Sequence, residues 1–159
     1  MRRHDREITD PLERNKILSS CDVLHLALID EEKPYLVAVN FGHEWQEDTL
    51  ILYFHSATEG RKIDILQKNP FVAFQMESEC ALITPTSTNP CRYSWHYSSI
   101  VGYGCAEFIS DPETKTHALN RIIHHLDPTQ KQLEFPQTTL MKTCVIRIVV
   151  TEISAKHHI

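Results

Sequence analysis

The run from Leu50 to His55 constrains the fold of this chain more than any other segment. Its side chains are apolar on both alternating faces, which is the pattern of a strand buried on both sides. The residues that follow, Ser56 to Lys62, carry hydroxyls, a glycine and adjacent charges, as a helix start does. The pattern predicts a central strand that leads directly into a short helix over Glu59 to Gln67, with Thr58 as its N-cap.

The rest of the chain alternates between segments of strand and helix composition. Helices are predicted over Asp10 to Ser20 and Asp111 to Leu126, because each begins with an aspartate followed by proline. A turn is predicted over Gly42 to Asp48. Hairpin-type connections favour a mostly β single domain over residues 1–159, an antiparallel barrel of six strands with about three flanking helices. The other five strands are predicted at Val23 to Ile29, Tyr35 to Phe41, Phe71 to Met76, Tyr97 to Ile109 and Cys144 to Ile153.

Composition narrows the partners and the compartment. A net charge of −5 and a pI near 6.0 argue against nucleic acid or an anionic membrane as the main partner, since both attract basic surfaces. No window approaches the roughly 18 consecutive apolar residues of a membrane span, and no secretory signal is recognisable. Five cysteines without CxxC pairing predict free core thiols. We expect a cytoplasmic protein that binds any anion through a local site.

The segment from His55 to Lys62 has the composition of such a site. The N–H groups at a helix start attract phosphate, and the Arg61 guanidinium and Lys62 ammonium add positive charge beside them. Two cations are unfavourable at a helix start unless an anion compensates them, and Glu59 can neutralise only one. The alternative is an ordinary surface helix whose charged side chains are solvated.

Two of the four glycines, Gly102 and Gly104, lie in one predicted strand. They share a face with Ser98, Ile100 and Ala106, because side chains alternate along a strand. Because the side chains on this face are small, a flat ligand could lie against it. Close approach by a ligand or by another backbone explains why a strand contains glycine. A bulge or a barrel corner explains it equally well.

Taken in order, these motifs resemble the FMN-binding split-barrel superfamily of pyridoxamine 5′-phosphate oxidase-like proteins, and within it the nitroimidazole-resistance (Nim-type) branch. The resemblance covers nearly the full length of the chain. The order and spacing of the pieces carry it rather than any single motif. The pieces are Met1-Arg2-Arg3 with Asp5 to Ile8, Leu26 to Leu28, Pro34 to Val37 with Asn40 to Gly42, His55 to Lys62, Asn69-Pro70 with Val72 and Phe74, Tyr97 to Gly104, and Lys156.

The resemblance implies a six-stranded split barrel that forms a homodimer and binds two FMN molecules at the subunit interface. By that resemblance, Ser56, Arg61 and Lys62 hold the FMN phosphate, and Val39 to Phe41 and Tyr53 to His55 line the flavin ring. Ser98 and Ser99 complete the polar contacts, and Tyr93 to Tyr97 reach the flavin of the partner subunit. We call the predicted strand that contains Gly102 and Gly104 the glycine strand. Family members often carry a basic residue near its start, at the position where this chain has the neutral Ser98. The implied cofactor-binding residues are Val39, Asn40, Phe41, Tyr53, His55, Ser56, Ala57, Arg61, Lys62, Tyr93, Trp95, Ser98 and Ser99.

His55 is the candidate catalytic residue, since an imidazole that titrates near neutrality can exchange a proton beside a flavin. The alternative is a structural histidine that contacts the phosphate. The leading hypothesis is an FMN-dependent oxidoreductase that reduces nitroimidazoles or other small, flat, electron-poor substrates. The alternatives are a non-catalytic flavin or haem carrier, for which the His157-His158 tail is available, and a pyridoxine-phosphate oxidase, whose additional C-terminal residues have no match after Ile153.

Other kinds of site have no support in the sequence. The pairs His124-His125 and His157-His158 lack the spacing that places two imidazoles on one helix face, so no metal is expected. Neither a GxSxG elbow nor a P-loop nor a GxGxxG motif is present. Hydrolase, P-loop nucleotidase and Rossmann-fold hypotheses are therefore set aside.

Overall fold

The structure is a computed structural model that describes residues 4–86 and 88–158. Met1-Arg2-Arg3, the first piece of the resemblance, lies outside the described residues. The strands are β1 (Glu7–Ile8), β2 (Leu24–Asp30), β3 (Lys33–Val39), β4 (Gly42–Gln46), β5 (Thr49–Ser56), β6 (Phe71–Ile83), β7 (Ser94–Ile109) and β8 (Cys144–His158). The α-helices are α1 (Pro11–Ser19), α2 (Arg61–Lys68), α3 (Pro112–Leu126) and α4 (Gln137–Lys142), and short 3₁₀ turns lie at His4–Arg6 and Pro90–Arg92.

The strands form one antiparallel sheet. Its order is β3-β2-β6-β7-β8-β5-β4, and β1 is added to β8. In the part of the chain that the structure describes, the end strands β3 and β4 do not pair with each other, so the sheet stays open along one seam. The predicted mostly β split-barrel fold is confirmed.

Residues 42–46 form strand β4, where the sequence predicted a turn. The prediction was wrong because this strand is stabilised by its partners rather than by its composition. It pairs with β5 along its whole length, and its Glu44 carboxylate accepts a hydrogen bond from the Tyr53 hydroxyl at 2.8 Å. Gly42 allows the strand to approach α3, since a Cβ at this position would collide with the backbone of Arg121. With β1, this strand raises the count from six to eight.

The starts of α1 and α3 follow their sequence signals. The Asp10 carboxylate accepts a hydrogen bond from the Leu12 N–H at 3.1 Å, and the Asp111 carboxylate accepts one from the Thr114 N–H at 2.7 Å. The short helix α4 was not predicted, because its stretch is polar apart from a few residues. No helix within residues 4–86 and 88–158 combines the length and the apolar character needed to cross a membrane.

Strand β5 is buried on both faces, as its sequence predicts. Leu52 and Phe54 belong to the larger apolar cluster, which also contains residues of β2, β6, β7, β8 and α2. Ile51 and Tyr53 belong to a second cluster, which lies between the sheet and α3. The strand lies between β8 and β4 in the sheet. Its two faces therefore pack into two different apolar clusters.

The glycines of β7 are explained by close packing within the chain. A Cβ at Gly102 would overlap the ring of Phe74 and lie 2.6 Å from the Glu152 carbonyl oxygen. A Cβ at Gly104 would lie 2.6 Å from the Ile148 side chain, next to a bulge in the β7–β8 pairing. Close approach by the Phe74 ring and by the β8 backbone therefore explains these glycines, and the β7–β8 bulge lies beside Gly104.

The five cysteines are free thiols, but most of them lie outside the core. Cys21 is fully buried, and burial raises the pKa of its thiol to about 11. Cys80 and Cys91 are exposed, and Cys105 and Cys144 are partly buried. The prediction of core thiols therefore holds only for Cys21.

Candidate functional site

The junction between β5 and α2 forms the candidate site. Strand β5 ends at Ser56, a short turn follows, and α2 begins at Arg61. Its N-cap is Gly60, with φ 129°, and no side chain caps the helix start. The prediction that Thr58 is the N-cap was therefore wrong. Because no side chain caps this helix start, the N–H groups of Arg61 and Lys62 are available to an anion, whereas that of Ile63 donates to the Gly60 carbonyl at 2.8 Å. We call this uncapped helix start, together with Arg61 and Lys62, the cradle.

Arg61 is held by a partner that sequence reasoning did not find. Its Nε and Nη2 atoms each donate to the Asp30 carboxylate at 2.8 Å, at the end of β2. Its guanidinium also stacks on the Tyr35 ring, 4.8 Å from the centroid. The expectation that this cation needs an external anion was therefore wrong for Arg61. The contact orients the guanidinium, while just over half of the side chain, 56%, stays exposed to solvent.

Lys62 has no such compensation. In the described part of the chain, no carboxylate lies within 4 Å of its ammonium, which sits 5.5 Å from the centroid of the Phe54 ring. Burial lowers the pKa of Lys62, and the nearby Cys144 thiol acts in the opposite direction. A partly desolvated ammonium beside an uncapped helix start is an arrangement that an anion stabilises.

His55 precedes the cradle at the end of β5. Its side chain is exposed to solvent, yet desolvation of the ring by its neighbours lowers the pKa of His55, and the positive charge of Lys62 lowers it further. The imidazole is therefore predominantly neutral at pH 7, with one nitrogen free to accept a proton. Ser56 and Ala57 follow it directly, so the structure places five predicted site residues together: His55, Ser56, Ala57, Arg61 and Lys62.

The residues at the end of β3, just after it and in β5 were expected to line the flavin ring. Most of them are instead buried or partly buried in the apolar core. Phe41 is fully buried, and its ring centroid lies 4.3 Å from that of His125. The Tyr53 side chain faces α3 and donates to Glu44. Val39 packs partly buried against the larger cluster, and the Asn40 amide donates to the Asp22 carbonyl at 3.4 Å. Of these, only Asn40 is exposed.

The predicted residues of the glycine strand lie at the opposite end of β8 from the cradle. Ser56 pairs with Cys144 at the start of β8, whereas Ser98 pairs with His157 near its end. The Ser98 hydroxyl donates to Glu79 at 2.8 Å, and the Ser99 hydroxyl is buried without a partner. Tyr93 and Trp95 are exposed, at 57% and 48%. Within one chain, these four residues do not meet the cradle.

Lys115 is a further cation near the cradle that sequence reasoning missed. Its ammonium donates to the carbonyls of Leu140 and Thr143, each at 3.0 Å, and its charge acts on the Cys144 thiol, as that of Lys62 does. No local signal could have found Lys115 or Asp30, because both come close to the junction only through the sheet register and the packing of α3.

Comparison with known proteins identifies the family. The family model described as pyridoxamine 5′-phosphate oxidase matches residues 10–157. The chain belongs to the pyridoxamine 5′-phosphate oxidase family. A candidate 5-nitroimidazole antibiotic resistance protein from Bacteroides thetaiotaomicron is 31% identical to it, with a TM-score of 0.79 over 95% of this chain and 86% of the other. The predicted resemblance to the superfamily and to its nitroimidazole-resistance branch is confirmed.

Two solved structures with lower sequence identity share the fold. The flavocytochrome Anf3 from Azotobacter vinelandii has a TM-score of 0.80 at 20% identity, over 100% of this chain and 72% of the other. An FAD and haem binding protein from Mycobacterium smegmatis has a TM-score of 0.80 at 17% identity, over 96% and 73%. The comparison with curated proteins found no match.

The cradle fits the phosphate of a flavin mononucleotide, the group that the resemblance implies. The uncapped N–H groups of α2, the uncompensated Lys62 and the oriented Arg61 are all donors to a dianion. The described residues contain no group of three or more histidine, cysteine, aspartate or glutamate side chains placed to hold a metal ion.

Proposed function

We propose that this member of the pyridoxamine 5′-phosphate oxidase family is an FMN-dependent oxidoreductase acting in the cytoplasm on small, flat, electron-poor substrates such as nitroimidazoles. The observation that carries the proposal is the uncompensated Lys62 ammonium at the uncapped start of α2. A partly desolvated cation beside the N–H groups of a helix start lowers the stability of the folded protein. A bound phosphate offsets this loss of stability.

Each residue of the cradle has a distinct role in this proposal. Lys62 provides a point charge, while Arg61, fixed by Asp30 and Tyr35, offers its remaining N–H groups to the phosphate. Ser56 adds a hydroxyl at the end of β5. Asp30 also competes with the phosphate for the guanidinium, so we expect Arg61 to contribute less to affinity than Lys62.

His55 is the proposed proton-transfer residue. When bound, the flavin supplies the electron transfer, and the protein supplies orientation and electrostatics. A neutral imidazole at pH 7 can accept a proton at one nitrogen and donate one from the other, and the nearby Lys62 charge keeps it neutral. Its exposed position at the end of β5 leaves it accessible to a substrate.

We also propose a homodimer. Its support is an apolar sheet face on which Leu36, Ala27, Ala73 and Tyr103 form one row across β3, β2, β6 and β7. Leu36 is 72% exposed and Tyr103 is 53% exposed, and Leu36, Ala27 and Ala73 line a shallow groove of about 490 Å³. A contiguous apolar surface of this kind marks an interaction site, and a second copy presents the same surface to it.

Two other functions lack a specific observation in their favour. The tail that a haem carrier would use is the end of β8, where a ring nitrogen of His158 lies 2.8 Å from the Trp95 carbonyl oxygen. For a pyridoxine-phosphate oxidase, the described residues after Ile153 show only the continuation of strand β8 through His158.

Purified protein tests the proposal through its absorbance spectrum and its flavin content. We expect copurifying or added FMN to be retained by the wild type and by Lys68→Gln, which removes the same charge at the other end of α2. We expect Lys62→Gln to lose it. Anaerobic reoxidation of the reduced flavin by nitroaromatic compounds then separates an enzyme from a carrier, and slower reoxidation in His55→Gln identifies the proton-transfer residue. Full FMN retention by Lys62→Gln would contradict the phosphate assignment.

A further inference from the structure

The short helix α4 ends close to the cradle. Its last residue is Lys142, and Cys144, at the start of β8, pairs with Ser56 at the end of β5, from which the chain leads into the cradle. The helix is anchored by Leu140, which is buried in the apolar cluster between the sheet and α3. The last carbonyls of a helix lack partners within the helix and form the negative end of its dipole. The end of α4 therefore brings negative partial charge towards a site that is proposed to bind an anion.

Lys115 of α3 contacts this end of α4. Its ammonium donates to the carbonyl oxygens of Leu140 and Thr143, each at 3.0 Å, and the Thr143 hydroxyl donates to the Thr139 carbonyl at 2.8 Å. The two acceptors of Lys115 are neutral carbonyls rather than carboxylates. The ammonium therefore satisfies two carbonyls at the end of α4 and also brings a full positive charge to that end.

The position of Lys115 in its own helix is unfavourable for a cation. Lys115 is the fourth residue of α3, and its backbone N–H donates to the Asp111 carbonyl at 2.9 Å in the first turn. The positive end of the α3 dipole disfavours a lysine there, and the side chain is also partly buried. The carbonyls at the end of α4 compensate the ammonium. Lys115 therefore stabilises the end of α4 and its surroundings rather than α3 itself.

The charges of Lys115 and Lys62 act on the same strand end. Thr143, which accepts from Lys115, directly precedes Cys144, the strand partner of Ser56. Burial raises the pKa of the Cys144 thiol, while the charge of Lys115, followed by that of Lys62, lowers it. Two like charges near one strand end repel each other, and a bound phosphate dianion offsets that repulsion.

We propose that Lys115 is a positioning residue of the flavin phosphate site, which holds the end of α4 in place and favours the phosphate through its charge without contacting it. The inference rests on the proposed function and adds a residue to it. Lys115 binds carbonyls that would otherwise repel the phosphate, and its charge adds to that of Lys62. An effect that acts through space is screened by salt, because the Debye length falls from about 10 Å at about 0.1 M to about 3 Å at about 1 M ionic strength.

Fluorescence titration of the full-length, flavin-free protein with FMN and with riboflavin, which lacks the phosphate, tests this role. We expect Lys115→Met to bind FMN at least about fivefold more weakly than the wild type at about 0.1 M salt, and the deficit to shrink at about 1 M salt. Its affinity for riboflavin should be unchanged. Lys115→Arg keeps the charge and the N–H donors and should bind FMN as the wild type does. Lys131→Gln removes an exposed lysine between α3 and α4 and is the matched control.

A second variant covers the case in which Lys115→Met does not fold. Lys115→Gln keeps N–H donors for the carbonyls of α4 but removes the charge, so it should show the same loss of FMN affinity. FMN binding by these variants at the affinity of the wild type would overturn the inference. An equal loss for FMN and riboflavin would also overturn it, because Lys115 would then only support the fold. Failure of the proposed function gives a different pattern, in which the wild type itself binds FMN no more tightly than riboflavin.

Discussion

The partly buried histidine of β4, His43, should make the stability of this protein depend on pH. The Nδ1 atom of His43 is buried without a partner, and its ring lies 5.0 Å from that of His125 in an edge-on arrangement. Desolvation, followed by the charges of His125 and Arg121, lowers the pKa of His43 from 6.5 to about 4. The folded state therefore resists protonating this ring, whereas the unfolded chain does not.

The sign and size of the effect follow from that difference. Between pH 6.5 and pH 4, the unfolded chain binds the proton more readily, so stability present above pH 6.5 is lost as the pH falls through this window. The full difference corresponds to an upper limit of about 3.4 kcal/mol, at 1.36 kcal/mol per pKa unit. Because His43 is partly exposed to solvent, we expect about 1–2 kcal/mol.

Urea unfolding between pH 7 and pH 4 measures this loss. We expect His43→Gln to lose about 1–2 kcal/mol less than the wild type over the window, since glutamine does not titrate. His124→Gln, an exposed position on α3, is the matched control and should follow the wild type. Parallel curves for the wild type and His43→Gln would refute the reasoning.

Two further predictions concern packing and capping. Gly102→Ala should destabilise the fold by about 1–3 kcal/mol, because the added Cβ would press on the Phe74 ring and the Glu152 carbonyl; thermal unfolding measures it, and an unchanged melting temperature would contradict the account of the glycine strand. Asp111→Ala should lower the midpoint of urea unfolding by removing the α3 cap, and Asp111→Asn should keep most of the stability because asparagine also caps helices.

The sequence was informative where structure is local. Asp10 and Asp111 cap the helices that their Asp-Pro signals predict, because the cap contacts lie within three residues. Strand β5 is buried on both faces, as its uninterrupted apolar run requires. The cradle was found for the same reason, since strand end, glycine and cations are adjacent in the chain.

The sequence was uninformative where distant segments meet. Arg61 and Asp30 are 31 residues apart, and only the position of α2 beside the β2–β3 hairpin brings them together. Gly102 faces Phe74 because of the register in which β6 and β7 pair. The space that the glycine leaves, which suggested a ligand, is therefore occupied by the Phe74 ring. Thr58 has the better capping side chain, yet the chain direction after β5 places Gly60 at the helix start.

The most direct test of the flavin assignment compares FMN with riboflavin, which lacks the phosphate. Fluorescence titration of flavin-free protein gives both dissociation constants. If the phosphate is held by Lys62, Arg61 and the N–H groups of α2, FMN should bind at least about a hundredfold more tightly than riboflavin, and Lys62→Gln should remove most of the difference. Equal affinities for the two flavins, or no binding of either, would contradict the account.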